Sequence, residues 1–107
     1  MTIYALSSGP GTSGIAVIRI SGPDTVKVVK LLTKKPLPTP RMATLRKIYN
    51  INTSGLIDEG IILWFPGPGS YTGEDMAEIH VHGGKAVITA VQNEISSIKN
   101  CKLAEPG

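Results

Sequence analysis

Apolar side chains open the chain in two runs, residues 3–6 and 15–20, the second rich in β-branched residues, with Ser7-Ser8-Gly9-Pro10-Gly11-Thr12-Ser13-Gly14 between them. Short apolar runs flanking a glycine-rich segment predict two strands and a tight connection. Ser21-Gly22-Pro23-Asp24 then supplies turn and helix-start chemistry, and Val26, Val29 and Leu32 recur at three-residue steps while Lys27, Lys30 and Lys34 fall off that stripe. This is the pattern of a surface helix. Pro36, Pro38 and Pro40 forbid its continuation. Residues 42–51 alternate loosely, residues 52–55 turn, and the apolar run 57–65 continues until Pro66-Gly67-Pro68-Gly69 stops it. A hairpin of third and fourth strands follows. Next, Ala77, Ile79 and Val81 alternate with Met76, Glu78, His80 and His82. A fifth strand there buries the first set and collects polar chemistry on its other face. After Gly83-Gly84, the spacing of Val87, Ile88, Val91, Ile95 and Ile98 requires a second helix, and Leu103 is placed to open a further strand. The expected order is β-β-α-β-β-β-α.

Length narrows this to one domain, residues 1–107, since 107 residues with 41% hydrophobic content leave no room for a second core. A chain of this size buries roughly two thirds of its unfolded surface, so self-association would add useful stability. No apolar run reaches the roughly 18 residues of a membrane span, and Met1 leads directly into strand-like sequence, so no membrane partner is expected. The net charge of +3 is spread along the chain and argues only weakly for nucleic acid. A single cysteine, Cys101, excludes an internal disulfide framework and a four-thiolate zinc site.

Candidate chemistry lies mainly on the second and fifth strands. The glycine-rich loop lacks the Gly-Lys-Ser or Gly-Lys-Thr of a Walker loop and enters a strand instead of a helix, so it reads as a connection. Arg19 shares a strand face with Ile15 and Val17, where an unpaired guanidinium is costly. It needs a structural ion pair, with Glu78 or Asp58, or a ligand to clamp. Glu74 and Asp75 read as turn residues. Glu78 shares its face with His80 and His82, and a carboxylate there suits bidentate bonding to the amino-pyrimidinone edge of a guanine or pterin ring. The two histidines have the spacing of a metal pair, but no cluster offers third and fourth ligands, and neighbouring carbonyls or carboxylates are the expected partners. Gly83-Gly84 offers free N–H groups to an anionic tail.

Three stretches, IYALSSGPGTSGIAVIRISGP, IDEGIILWFPGPGSYTGEDMAEIHVHGG and the terminal LAEPG, resemble in order and spacing the amino-terminal domain of the MnmE/TrmE family of tRNA-modifying GTPases. The run from Trp64 to Gly84 is its most specific part. The resemblance implies an α+β domain on a mixed sheet, with a fold like the tetrahydrofolate-binding domain of the glycine-cleavage aminomethyltransferase, paired in a homodimer, with 5-formyltetrahydrofolate or a related one-carbon folate near the dimer contact. By motif, the arginine of the family's R-I/L-S segment falls on Arg19 and the glutamate of TGED-x-x-E on Glu78. The resemblance further implies a parent protein with helical and GTPase domains, using GTP with Mg and K ions. That parent works with the flavoprotein MnmG on C5 of the tRNA wobble uridine. No Walker loop, guanine-specificity motif or carboxy-terminal cysteine occurs in these residues, and a basic residue beyond LAEPG is expected to complete the folate site. HVHGG, where some bacterial relatives have QGHGG or CHGG, favours an organellar member in the mitochondrial matrix; a bacterial member would be cytoplasmic.

Two other functions compete. One is a small RNA-binding module using Lys27, Lys30, Lys34, Lys35, Arg41, Arg46 and Lys47, although one Phe and one Trp leave little for base stacking. A structural dimerisation arm without ligand is the other.

Overall fold

The computed structural model describes residues 1–7 and 14–105. Its elements are β1 (Thr2–Leu6), β2 (Ile15–Ser21), α1 (Thr25–Thr33), β3 (Thr44–Tyr49), β4 (Leu56–Phe65), β5 (Met76–His82), α2 (Lys85–Ser96) and β6 (Cys101–Leu103). All six strands join one sheet in the order β3-β4-β5-β2-β1-β6. Neighbours pair antiparallel except β1 and β6, which run parallel, so the sheet is mixed as expected. The expected seven-element order is extended by β6, where Thr2 pairs with Cys101 and Tyr4 with Leu103. The glycine-rich connection between the first two strands falls mostly on residues 8–13, outside the described residues.

Period-two alternation decides which side of the sheet is filled. Ala16, Ile18 and Ile20 of β2, Ala77, Ile79 and Val81 of β5, Ile62 of β4 and Ile48 of β3 form one buried cluster with Val28, Val29 and Leu32 of α1 and Val91 and Ile95 of α2. Both helices therefore lie on this face, and each large aliphatic side chain buried there contributes about 1.5–3 kcal/mol. The opposite face carries Arg19, Glu78, His80 and His82 among half-buried and exposed apolar residues such as Ile3 and Ile15.

Two expectations are adjusted. The third strand is shorter than 42–51: Arg41 takes a left-handed φ of 62° before it, and a register irregularity at Ile48/Tyr49 ends its regular pairing. In α1 the buried residues are Thr25, Val28, Val29, Leu32 and Thr33, while Val26 is half-buried, because a strict three-residue stripe drifts around a helix of 3.6 residues per turn. The helix closes at Lys34, left-handed at φ 55°, whose N–H bonds the Lys30 carbonyl two residues before Pro36. In α2, Val91 and Ile95 are buried, and Ile98 is buried just beyond the last turn.

One glycine joins three parts of the chain. Gly22 has φ 141°, and a Cβ there would lie 2.6 Å from the Thr2 Cα. Its N–H donates to the Asp75 carbonyl at 2.9 Å, tying the end of β2 to the segment entering β5.

Candidate functional site

β2 and β5 are central neighbours, and their register sets Arg19 opposite Glu78, Val17 opposite His80 and Ile15 opposite His82. The face without helices thus receives the guanidinium and the carboxylate side by side. Arg19 Nη2 donates to Glu78 Oε2 at 2.7 Å, and His80 Nε2 lies 3.0 Å from Glu78 Oε1. Of the two partners proposed for Arg19 from the sequence, Glu78 is the one it meets. The Glu78 side chain is 15% exposed and that of Arg19 39%. Burial pushes the Glu78 carboxyl up, but the hydrogen bonds from Arg19 and His80, with the attraction that accompanies them, outweigh it and hold the group below the usual carboxylate range. Glu78 is therefore ionised at neutral pH. The Arg19 Nε is buried without a partner among the described residues.

A braced turn, residues 66–75, hangs beside this pair. Gly67 N–H donates to Asp75 Oδ1 at 3.0 Å, and the Ser70 hydroxyl donates to the Glu74 carbonyl. Ser21 Oγ lies 2.8 Å from Thr72 Oγ1 and donates to Glu74 Oε2 at 3.2 Å, while Thr25 Oγ1 donates to the Asp75 carbonyl at 3.1 Å. Glu74 and Asp75, read from the sequence as turn residues, are the struts of that turn. Tyr71 stands out from it, 87% exposed, with its ring centroid 5.9 Å from Arg19 Cζ. A cavity of about 150 Å³ opens alongside, lined by Ile3, Tyr4, Ala5, Ser7, Arg19, Ser21 and Thr72. Sequence reasoning missed Ser21, Thr72 and Tyr71 as neighbours of Arg19; only Ser21 carried a signal, being two residues from Arg19 on the same strand.

Asp58, the other partner considered for Arg19, goes to His82. It accepts the His82 backbone N–H at 2.9 Å and faces the ring Nδ1 at 2.9 and 3.0 Å. Burial pushes the Asp58 carboxyl up, but these bonds from His82 prevail and hold it below its ordinary value. Each imidazole thus has its own carboxylate, as expected for histidines satisfied by neighbours. Among the described residues no group of three or more His, Cys, Asp or Glu is arranged to hold a metal ion. Cys101 is buried, and burial, with the Asp24 charge, pushes its thiol up. The lysines of α1 lie across the sheet from Arg19. Lys34 donates to the Ile51 carbonyl, Arg41 to that of Gly69 and Arg46 to that of Leu45. No helix of the described residues is long and apolar enough to cross a membrane.

Comparison with known proteins gives this geometry a context. Residues 2–107 match the family described as GTP-binding protein TrmE N-terminus. The tRNA modification GTPase MnmE of Pelagibacter ubique strain HTCC1062 is 73% identical over all of this chain and 24% of its own length. The mitochondrial 5-taurinomethyluridine-tRNA synthase subunit GTPB3 of Danio rerio is 51% identical over 99% of the chain and 21% of its own length. The Homo sapiens protein of the same name is 47% identical over 99% of the chain and 22% of its own length. The chain spans less than a quarter of the length of each of these relatives, which include bacterial and mitochondrial proteins. A family match running over nearly every residue, with the Arg19 and Glu78 motifs inside it, makes this chain a member of the TrmE amino-terminal domain family.

Proposed function

We propose that this domain holds a one-carbon tetrahydrofolate of the 5-formyltetrahydrofolate type between Arg19 and Glu78, as a homodimer, within a GTPase that modifies C5 of the tRNA wobble uridine. One observation carries the reading: an ionised, half-buried carboxylate and a guanidinium with an unpartnered buried Nε stand 2.7 Å apart beside a cavity. A carboxylate offers about four lone-pair sites, and Arg19 and His80 take two of those on Glu78, leaving two for the N–H groups of a pterin edge. Arg19 retains its Nε donor for a carbonyl oxygen or ring nitrogen of the same molecule. The residues present therefore fit the group. A bound one-carbon folate supplies an activated carbon unit; this chain orients it and keeps water from one side of it. GTP, with Mg and K ions, belongs to the remainder of the parent protein, and the flavoprotein MnmG and tRNA are the proposed partners. Two relatives are named as synthase subunits for 5-taurinomethyluridine in tRNA, which fits a carbon-donor role. The alternative RNA-binding reading draws little support from basic side chains divided between α1 with its C-cap, the segment before β3, and β3 itself, with Lys34, Arg41 and Arg46 each bonded to a backbone carbonyl.

Calorimetry of the full-length protein with 5-formyltetrahydrofolate tests the proposal. Binding is expected, Arg19→Ala should weaken it by about 1.5–3 kcal/mol through loss of a charge-assisted bond, and Glu78→Ala should weaken it at least as much. Absence of heat, or unchanged affinity in Glu78→Ala, rules the reading out.

A further inference from the structure

We infer that Tyr71 forms the outer wall of the Arg19–Glu78 site, swinging over a bound planar heteroaromatic ring and stacking on the face that the sheet leaves open. The inference rests on the folate reading of that site and adds a residue to it.

The cavity beside Arg19 is small. About 150 Å³ is half the roughly 300 Å³ at the lower end for small-molecule pockets, so a ligand gripped by its edge at Arg19 and Glu78 still has one face in water. Edge-on hydrogen bonds fix the plane of such a ring but leave its π surfaces uncovered. The sheet floor, with Ala5 opposite Arg19 and Leu63 opposite Glu78, covers one surface. Something must cover the other.

Tyr71 is placed to do so. It is 87% exposed, yet the turn that carries it is fixed by the Gly67–Asp75, Ser21–Thr72 and Ser21–Glu74 bonds. A braced backbone presenting a bare aromatic ring has only the two side-chain torsions of a tyrosine left to order on binding. The ring already reaches the Arg19 guanidinium, with 5.9 Å between Cζ and the ring centroid, near the outer limit of a cation–π contact. A side chain that reaches that guanidinium also reaches a ring bonded by it, and exchanging a long cation–π contact for stacking on a π surface is favourable. With its ring almost wholly in solvent, Tyr71 adds little to the packing of the described residues.

Three full-length proteins, wild type, Tyr71→Phe and Tyr71→Ala, titrated with 5-formyltetrahydrofolate in a calorimeter, separate the possibilities. Tyr71→Ala should bind roughly tenfold more weakly, the scale of one lost aromatic stack, and Tyr71→Phe within about twofold of wild type. The ligand-free thermal midpoint and the sedimentation mass of both variants should match wild type, which separates a ligand wall from a structural or dimer-contact role. Tyr71→Ala binding as tightly as wild type overturns the inference alone, as does an affinity loss that tracks a change in midpoint or mass, or a Tyr71→Phe loss as large as that of Tyr71→Ala. A wild-type protein that binds no folate overturns the site reading, and this role falls with it.

Discussion

A methyl group at position 60 would sit 2.0 Å from the His80 carbonyl oxygen, a backbone atom of the neighbouring strand that cannot step aside. Gly60 is buried in β4 just where the β4–β5 ladder ends at Ile61 and His80. Gly60→Ala is therefore expected to lower stability by at least about 2 kcal/mol, the scale of overpacking in a filled site. Gly14→Ala, where a Cβ meets nothing within 4 Å, should stay within about 0.5 kcal/mol of wild type. Urea unfolding midpoints at constant slope read both, and equal midpoints for the two variants would refute the steric account. The need for a partner at Arg19 was legible at this same scale, because an alternating strand put its charge among Ile15 and Val17. Which carboxylate answers was not, since Glu78 lies 59 positions away and its alignment is a property of two strands.

Among the elements, β4 and β5 show how a side chain can replace a ladder bond. Beyond the Ile61–His80 pair, Asp58 accepts the His82 backbone N–H and ring Nδ1, fastening the end of β5 just before α2 begins. This attachment depends on pH with a definite sign. Asp58 and Glu78 both have native carboxyls held below their ordinary values, so the folded state binds fewer protons than the unfolded chain. The stability they contribute is fully present above the unfolded carboxylate range of about 3.9–4.3 and is lost as pH falls through the native values. Unfolding midpoints should thus fall on acidification below about pH 5, and Asp58→Asn should lower the midpoint at pH 7 while flattening the fall between about pH 5 and 3. Parallel curves for wild type and Asp58→Asn would contradict this. The strands and helices were legible from apolar period alone, with errors only at ends, where left-handed Arg41 and the Ile48/Tyr49 irregularity act. The His82 attachment was not, because nothing in Asp58's own neighbourhood distinguishes a strut from a solvated strand end.

For the whole molecule, the sheet face without helices matters most. Ile3 is 40% exposed and Ile15 51%, flanking the Arg19 site on a domain that buries only about two thirds of its surface. The homodimer proposed above would cover part of this face. Its thermal midpoint should then rise with protein concentration, and sedimentation should show twice the chain mass; a midpoint constant over a hundredfold dilution, with a monomer mass, would exclude it. The sequence by itself determined the order of strands and helices, the faces of its strands and the two residues, Arg19 and Glu78, on which the proposed ligand site centres, because side-chain period is a local property of the backbone. Tertiary structure alone decided that these two residues touch, that Asp58 serves His82 instead, and that Tyr71 stands over the guanidinium. Each of these depends on register and loop bracing between segments distant in the chain, and no local pattern encodes such distances.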